Sequence, residues 1–214
     1  MRSLIALALG CLAAAANAQF LGPTPYLKFA DSPFFGGSFT YFHLERFENG
    51  SLQVPGVSAN FGAIYGPASN ADSVDEDDGV IDGFGTNAHS WFFSNGATGV
   101  TWTFNAGTLG VLPTHAGIVW TDGSGTITFE AWDQNGVSLG TVTGNHADGS
   151  FGGTTAEDRF YGIIHSSGIS KIKIRNTGGG IEMDHLQYGY AVPEPSTLVA
   201  LGLSGLLFLR RRRR

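Results

Sequence analysis

The chain has 214 residues, a net charge of −6, one cysteine and 32 glycines. Between residues 19 and 191 six Lys and Arg face seventeen Asp and Glu, so that stretch alone stands at −11, a balance that argues against nucleic acid or anionic lipid as its partner and suits hard divalent cations. Cys11 lies outside the stretch, which excludes disulfides and cysteine nucleophiles from it, and the glycines follow no collagen or linker period.

The N-terminus opens with the positive pair Met1-Arg2, followed by an apolar run from Leu4 to Ala16 and the small-residue site Ala16-Asn17-Ala18. This pattern predicts a secretory signal peptide over 1–18, cut before Gln19. Leu9-Gly10-Cys11 is only a partial lipoprotein box, with Ala8 three places before the cysteine. The 173 residues that follow fit one domain, 19–191, large enough to bury roughly 70% of its extended-chain surface.

No segment of that domain repeats apolar residues every 3.6 positions; short β-branched and aromatic runs alternate with Gly, Asn, Asp and Ser instead. Strands are predicted in chain order over 38–48, 61–65, 89–93, 100–104, 115–121, 125–132, 137–142, 159–165, 168–175 and 181–190. Val100, Trp102 and Phe104 share one face, as do Ile127, Phe129 and Ala131, and Ile172 and Ile174 oppose Lys171, Lys173 and Arg175. Asp133-Gln-Asn-Gly136 between two such runs reads as a hairpin turn, with Asn135 and Gly136 able to take positive φ. About ten short strands predict an all-β fold, an antiparallel β-sandwich of the jelly-roll kind, with a barrel as the other architecture.

The densest chemistry lies between Asp72 and Gly83, where six of twelve positions are carboxylates. Asp75, Asp77 and Asp78 are the candidate calcium ligands, since calcium takes six to eight oxygens. The spacing is not that of an EF-hand: Gly79 or Gly83 in the sixth position leaves Val74 or Val80 where ligands are required. Glu45 and Glu48 with Glu182 and Asp184, from the two ends of the domain, are a second candidate calcium position, by analogy with sandwiches that tie first and last strands together with a cation. The alternative reading of the acidic run is a solvated loop.

Catalytic signatures are lacking. There is no G-x-S-x-G and no H-E-x-x-H, and the six histidines have no ligand spacing. Asn176-Thr-Gly-Gly-Gly180 lacks the Lys-Ser/Thr of a phosphate loop. The body is therefore expected to be a non-enzymatic binding or structural module. A secreted carbohydrate-active enzyme working through two carboxylates is the alternative. Most aromatics are expected in the core. Trp132, placed with Glu130 on the face opposite Ile127, Phe129 and Ala131, is the candidate ligand-stacking ring.

The C-terminus has three parts. Val192, Pro193, Glu194 and Pro195 favour extended, accessible backbone. Residues 196–209 carry no charge and suit a helix of about 21 Å, short against a hydrocarbon core of roughly 30 Å. Arg210, Arg211, Arg212, Arg213 and Arg214 then close the chain and would stay on the cytoplasmic side. This arrangement over 192–214 resembles the PEP-CTERM sorting signal of exported proteins of Gram-negative bacteria. The resemblance implies an exosortase-type processing enzyme acting near Pro193-Glu194-Pro195 and a transient inner-membrane, transmembrane-helix intermediate. It also implies a final place at the cell surface or outside the cell, in association with exopolysaccharide and biofilm. The runs 158–162, 168–174 and 181–189 are similar to the closing strands of jelly-roll modules in such proteins, which resemble carbohydrate-binding sandwiches.

Overall fold

A computed structural model describes residues 17–192. Most of the expected signal peptide, and all of the tail from Pro193 through the Arg210–Arg214 cluster, lie outside the described residues. Among the described residues no helix is long and apolar enough to cross a membrane.

The strands, in chain order, are β1 (Gln19–Pro25), β2 (Phe39–Glu45), β3 (Val57–Ala59), β4 (Ala63–Tyr65), β5 (Ser90–Phe93) and β6 (Val100–Phe104). After a one-turn helix at Ala106–Leu109, capped by the Asn105 side chain, come β7 (His115–Ser124), β8 (Ile127–Asp133) and β9 (Ser138–Gly144). β10 (Arg159–Ile164), β11 (Ile169–Arg175) and β12 (Gly178–Ala191) complete the set. All ten predicted strands are present, with ends shifted by a few residues. β1 and β3 were not predicted. β1 holds two prolines and β3 has three residues, and both are edge strands, where a missing donor or a short ladder is tolerated.

The strands form two antiparallel sheets. One runs β1-β10-β7-β12-β5-β4, with β2 also paired to β12; the other runs β3-β6-β11-β8-β9. The sheets stay open and stack face to face as a sandwich, not a barrel. Period-two alternation explains the core. Val100, Trp102, Phe104, Ile127, Phe129, Ala131, Ile172 and Ile174 from one sheet meet Ala116, Ile118, Trp120, Tyr161, Ile163 and Met183 from the other. The turn at Asp133–Gly136 forms as expected, except that only Gly136 takes positive φ. Asp133 holds the turn by accepting from the amides of Asn135 and Val137, each at 2.8 Å.

What positions the site is β12, the central strand of the larger sheet. It pairs with β7 along its length on one side, and with β5 and then β2 on the other. Ile181 and Met183 point into the core, then Leu186 and Tyr188 do, so the inward phase slips by one residue between them. The slip is a bulge at His185, whose φ is +44°. A second irregularity, between Glu182 and Met183, leaves Thr121 of β7 without an opposite residue. The outer face of this strand thus carries Glu182, Asp184, His185 and Gln187, all buried. Three segments cover them: residues 26–38, the β4–β5 connection 66–89 and the β9–β10 connection 145–158.

Candidate functional site

The 66–89 segment is fastened to the sheet chiefly by the carboxylates of β12, and residues 26–38 by His185 and Gln187. The amides of Asp72 and Val74 donate to Glu182 Oε1 (3.2 Å) and Asp184 Oδ2 (3.0 Å). The Thr121 hydroxyl donates to the Asp72 carbonyl at 2.6 Å, and Ser90 Oγ donates to Glu182 Oε1 at 2.5 Å. Segment 66–89 is further closed on itself at Gly85. Its amide neighbourhood lies so near Ser73 that a Cβ there would fall 1.8 Å from the Ser73 carbonyl oxygen.

Under this cover an acidic centre forms. One carboxylate oxygen from each of Asp72, Asp122 and Glu157 lies within 4.8 Å of the other two. Asp72 belongs to the β4–β5 connection, Asp122 to the end of β7 and Glu157 to a 3-10 turn, Thr155–Glu157, before β10. Among the described residues both oxygens of Asp72, both of Asp158 and Oε1 of Glu157 have no hydrogen-bond partner, although each residue is at most 1% exposed. No ion pair among the described residues involves any of them. Arg159 is close, but its guanidinium donates to the backbone carbonyls of Ala156 and Asp158 instead.

Burial without compensation shows in the proton affinities. Desolvation, then the charge of Glu182, pushes the Asp72 carboxyl up to about 9. Desolvation dominates at Glu157, raised to about 8, at Glu182, raised to about 7, and at Asp122, raised to about 6. Asp158 and Asp184 are raised well above the ordinary carboxylate range, again chiefly by burial.

An open cleft of about 390 Å³ adjoins this centre. Asp122 and Glu182 lie in its lining, together with the rings of Tyr65, Phe92 and Phe151 and the backbone of Gly123, Gly179 and Gly180. Phe151 is 77% exposed.

The residues singled out in the sequence fall elsewhere. Asp75 is buried, where it accepts from the amides of Asp82 and Gly83 and from the Thr155 hydroxyl, each at 3.1 Å. Asp77 pairs with Arg46 at 3.1 Å and with His185 Nε2 at 3.0 Å, and His185 Nδ1 meets the Tyr26 hydroxyl at 2.8 Å. Asp78 is exposed and caps the Val80 amide. Of the three, only Asp77 has its oxygens in a group of potential metal ligands, with Glu76 and His185, and Arg46 pairs with both acids of that group. Glu45, Glu48, Glu182 and Asp184 do not gather as one set. Glu45 accepts the amides of Phe47, Gln53 and Val54, and Glu48 pairs with His89. Trp132 lies half-buried on the outer face of the smaller sheet, with Lys171 Nζ 4.5 Å from its ring centre, and does not share the cleft. The other three tryptophans are in the core. Sequence reasoning missed Asp122 and Glu157, and treated Asp158 only as the head of a strand.

Past the site, β12 ends at Ala191, and the Val192 amide donates to the Ser38 carbonyl at 3.0 Å. Residues 191–214 match a family model described as the PEP-CTERM protein-sorting motif. The chain carries a PEP-CTERM tail. The PEP-CTERM motif marks an exported protein handled by an exosortase at the membrane, and here it follows the last strand of the sandwich without a linker. No curated protein and no solved structure matches the chain.

Proposed function

We propose that the sandwich is a non-enzymatic binding module that the PEP-CTERM tail delivers to the cell surface, where it holds exopolysaccharide. The cleft beside Asp122 carries this reading. Its lining combines the rings of Tyr65, Phe92 and Phe151 with glycine backbone and the polar side chains of Asn70 and Ser150, a mixture that suits packing of rings on sugar, hydrogen bonding to hydroxyls and close approach of a chain. Of the two carboxylates in the lining, Glu182 is only 4% exposed and is tied to Ser90 and to the Asp72 amide, while Asp122 is partly exposed.

One observation favours a second reading, a glycoside-cleaving enzyme. Asp122 and Glu182 are two carboxylates on one cleft wall, with proton affinities raised to about 6 and about 7. A single experiment separates the two. The full-length protein is applied to immobilised bacterial exopolysaccharides, and retention and release of reducing ends are followed together. Retention without release, lost in Phe151→Ala at unchanged melting temperature, supports the binder. Reducing-end release abolished by Glu182→Gln supports the enzyme. Neither retention nor release overturns both.

A further inference from the structure

We propose that Asp72, Asp122 and Glu157 bind one calcium ion, which fastens the two covering connections to the end of β7. The geometry suits it. Calcium–oxygen distances of roughly 2.3–2.6 Å place opposed ligands about 4.6–5.2 Å apart, and the three oxygens lie within 4.8 Å of one another. The donors are all carboxylate oxygens, with neither thiolate nor imidazole, which selects a hard cation over zinc.

An independent observation points to the same ligand. Asp72 is 1% exposed and has no hydrogen-bond partner for either oxygen, and Glu157, also 1% exposed, has none for Oε1. Its Oε2 accepts the Asp148 amide at 2.6 Å, and Asp122 Oδ1 accepts the Gly123 amide at 2.6 Å. Buried polar oxygens are otherwise almost always satisfied, and a buried carboxylate without a partner is costly. The other acidic group, Glu76, Asp77 and His185, makes the contrast: Arg46 and hydrogen bonds to Tyr26 and Phe29 already satisfy it. Each of the three proposed ligands comes from a different segment, so one ion would tie residues 66–89, the end of β7 and residues 145–158 together. Asp122 also lines the cleft, which makes the centre reachable from solvent. The inference stands whatever the cleft itself takes.

The test uses the full-length protein, stripped with EDTA and dialysed, titrated with calcium chloride in a calorimeter and followed by thermal unfolding. Calcium is expected to bind one ion per chain and to raise the melting temperature, and magnesium to bind at least about tenfold more weakly. Asp122→Asn and Glu157→Gln should each lower calcium affinity about tenfold or more. Asp72→Asn should lose the calcium response while melting, in calcium-free buffer, close to the parent, because it replaces an unpartnered buried carboxyl, which burial favours in its neutral form, with a neutral group of the same size. Asp78→Asn, on the exposed turn, should bind as the parent does. Absence of heat and of a melting shift in the parent overturns the proposal. So does unchanged affinity in Asp122→Asn and Glu157→Gln, or magnesium binding equal to calcium. Should Asp72→Asn fail to fold, the other two variants decide.

Discussion

Glu182 on β12 stands directly opposite Asp122 on β7 in the antiparallel ladder, at the point where Thr121 bulges out of register. Like charges in that relation destabilise a sheet. The Asp72 amide relieves this in part by donating to Glu182, while the Asp72 carboxyl, itself without a partner, adds a third acid to the pair. The pair therefore sits where the fold itself would prefer opposite charges, and it does so beside an open cleft.

Glu182 also anchors the cover. Glu182→Ala leaves the Asp72 amide and the Ser90 hydroxyl without their acceptor and is expected to cost about 1–3 kcal/mol. Glu182→Gln keeps an acceptor oxygen and should cost less. Urea unfolding of the two variants checks the order, and equal stability of Glu182→Ala and the parent would show that the anchor contributes nothing.

Gly85 is a steric requirement. An alanine there would place its Cβ 1.8 Å from the Ser73 carbonyl oxygen, which is backbone and cannot rotate away. Gly85→Ala should lower stability by about 1–3 kcal/mol and expose the 66–89 connection to protease. Limited proteolysis that cuts the variant and the parent at the same rate would contradict this.

His146 gives a pH dependence of known sign. Burial, then the charge of Arg159, lowers its pKa from 6.5 to about 4, and its Nε2 meets the Tyr161 hydroxyl at 2.6 Å. The unfolded chain takes up the proton between those values while the folded one does not, so the contribution is full above about 6.5 and is lost as pH falls towards 4. The melting temperature of the parent should fall relative to that of His146→Gln as pH drops from about 7 to 4.5. A constant difference across that range would refute the assignment.

At the tail, replacing Pro193, Glu194 and Pro195 with alanine should leave the exported protein at its full C-terminal mass in the native host. Mass spectrometry of the C-terminus reads this directly; normal processing of the variant would remove the motif as the recognition element.

The strands were legible because a half-buried sheet writes its faces as alternation, as in Val100-Thr-Trp-Thr-Phe104. β1 was not, since Gly22-Pro23 and Pro25 interrupt any such pattern and are accommodated only because the strand is an edge. The site was legible only in part. Acid density drew attention to Asp75, Asp77 and Asp78, but two of these are held by local amides or by Arg46 and His185, and the third caps a turn. Asp122 stands alone in sequence and Glu157 has only Asp158 beside it, and the covering connections bring them together. Contacts of this kind leave no trace in composition. The one signal that pointed towards them was the excess of carboxylates over cations in the body.

β12 occupies the middle of its sheet yet is the last of the described strands in the chain, and the sorting motif begins at its final residue. A protein crossing a membrane from its N-terminus must leave a gap between β7 and β5 until residues 178–191 have passed through. In that order of export, completion of the sandwich would come only as the sorting motif nears the membrane. Trimming upstream of Ala191 would remove the amide that donates to the Thr114 hydroxyl and shorten the central strand of the larger sheet.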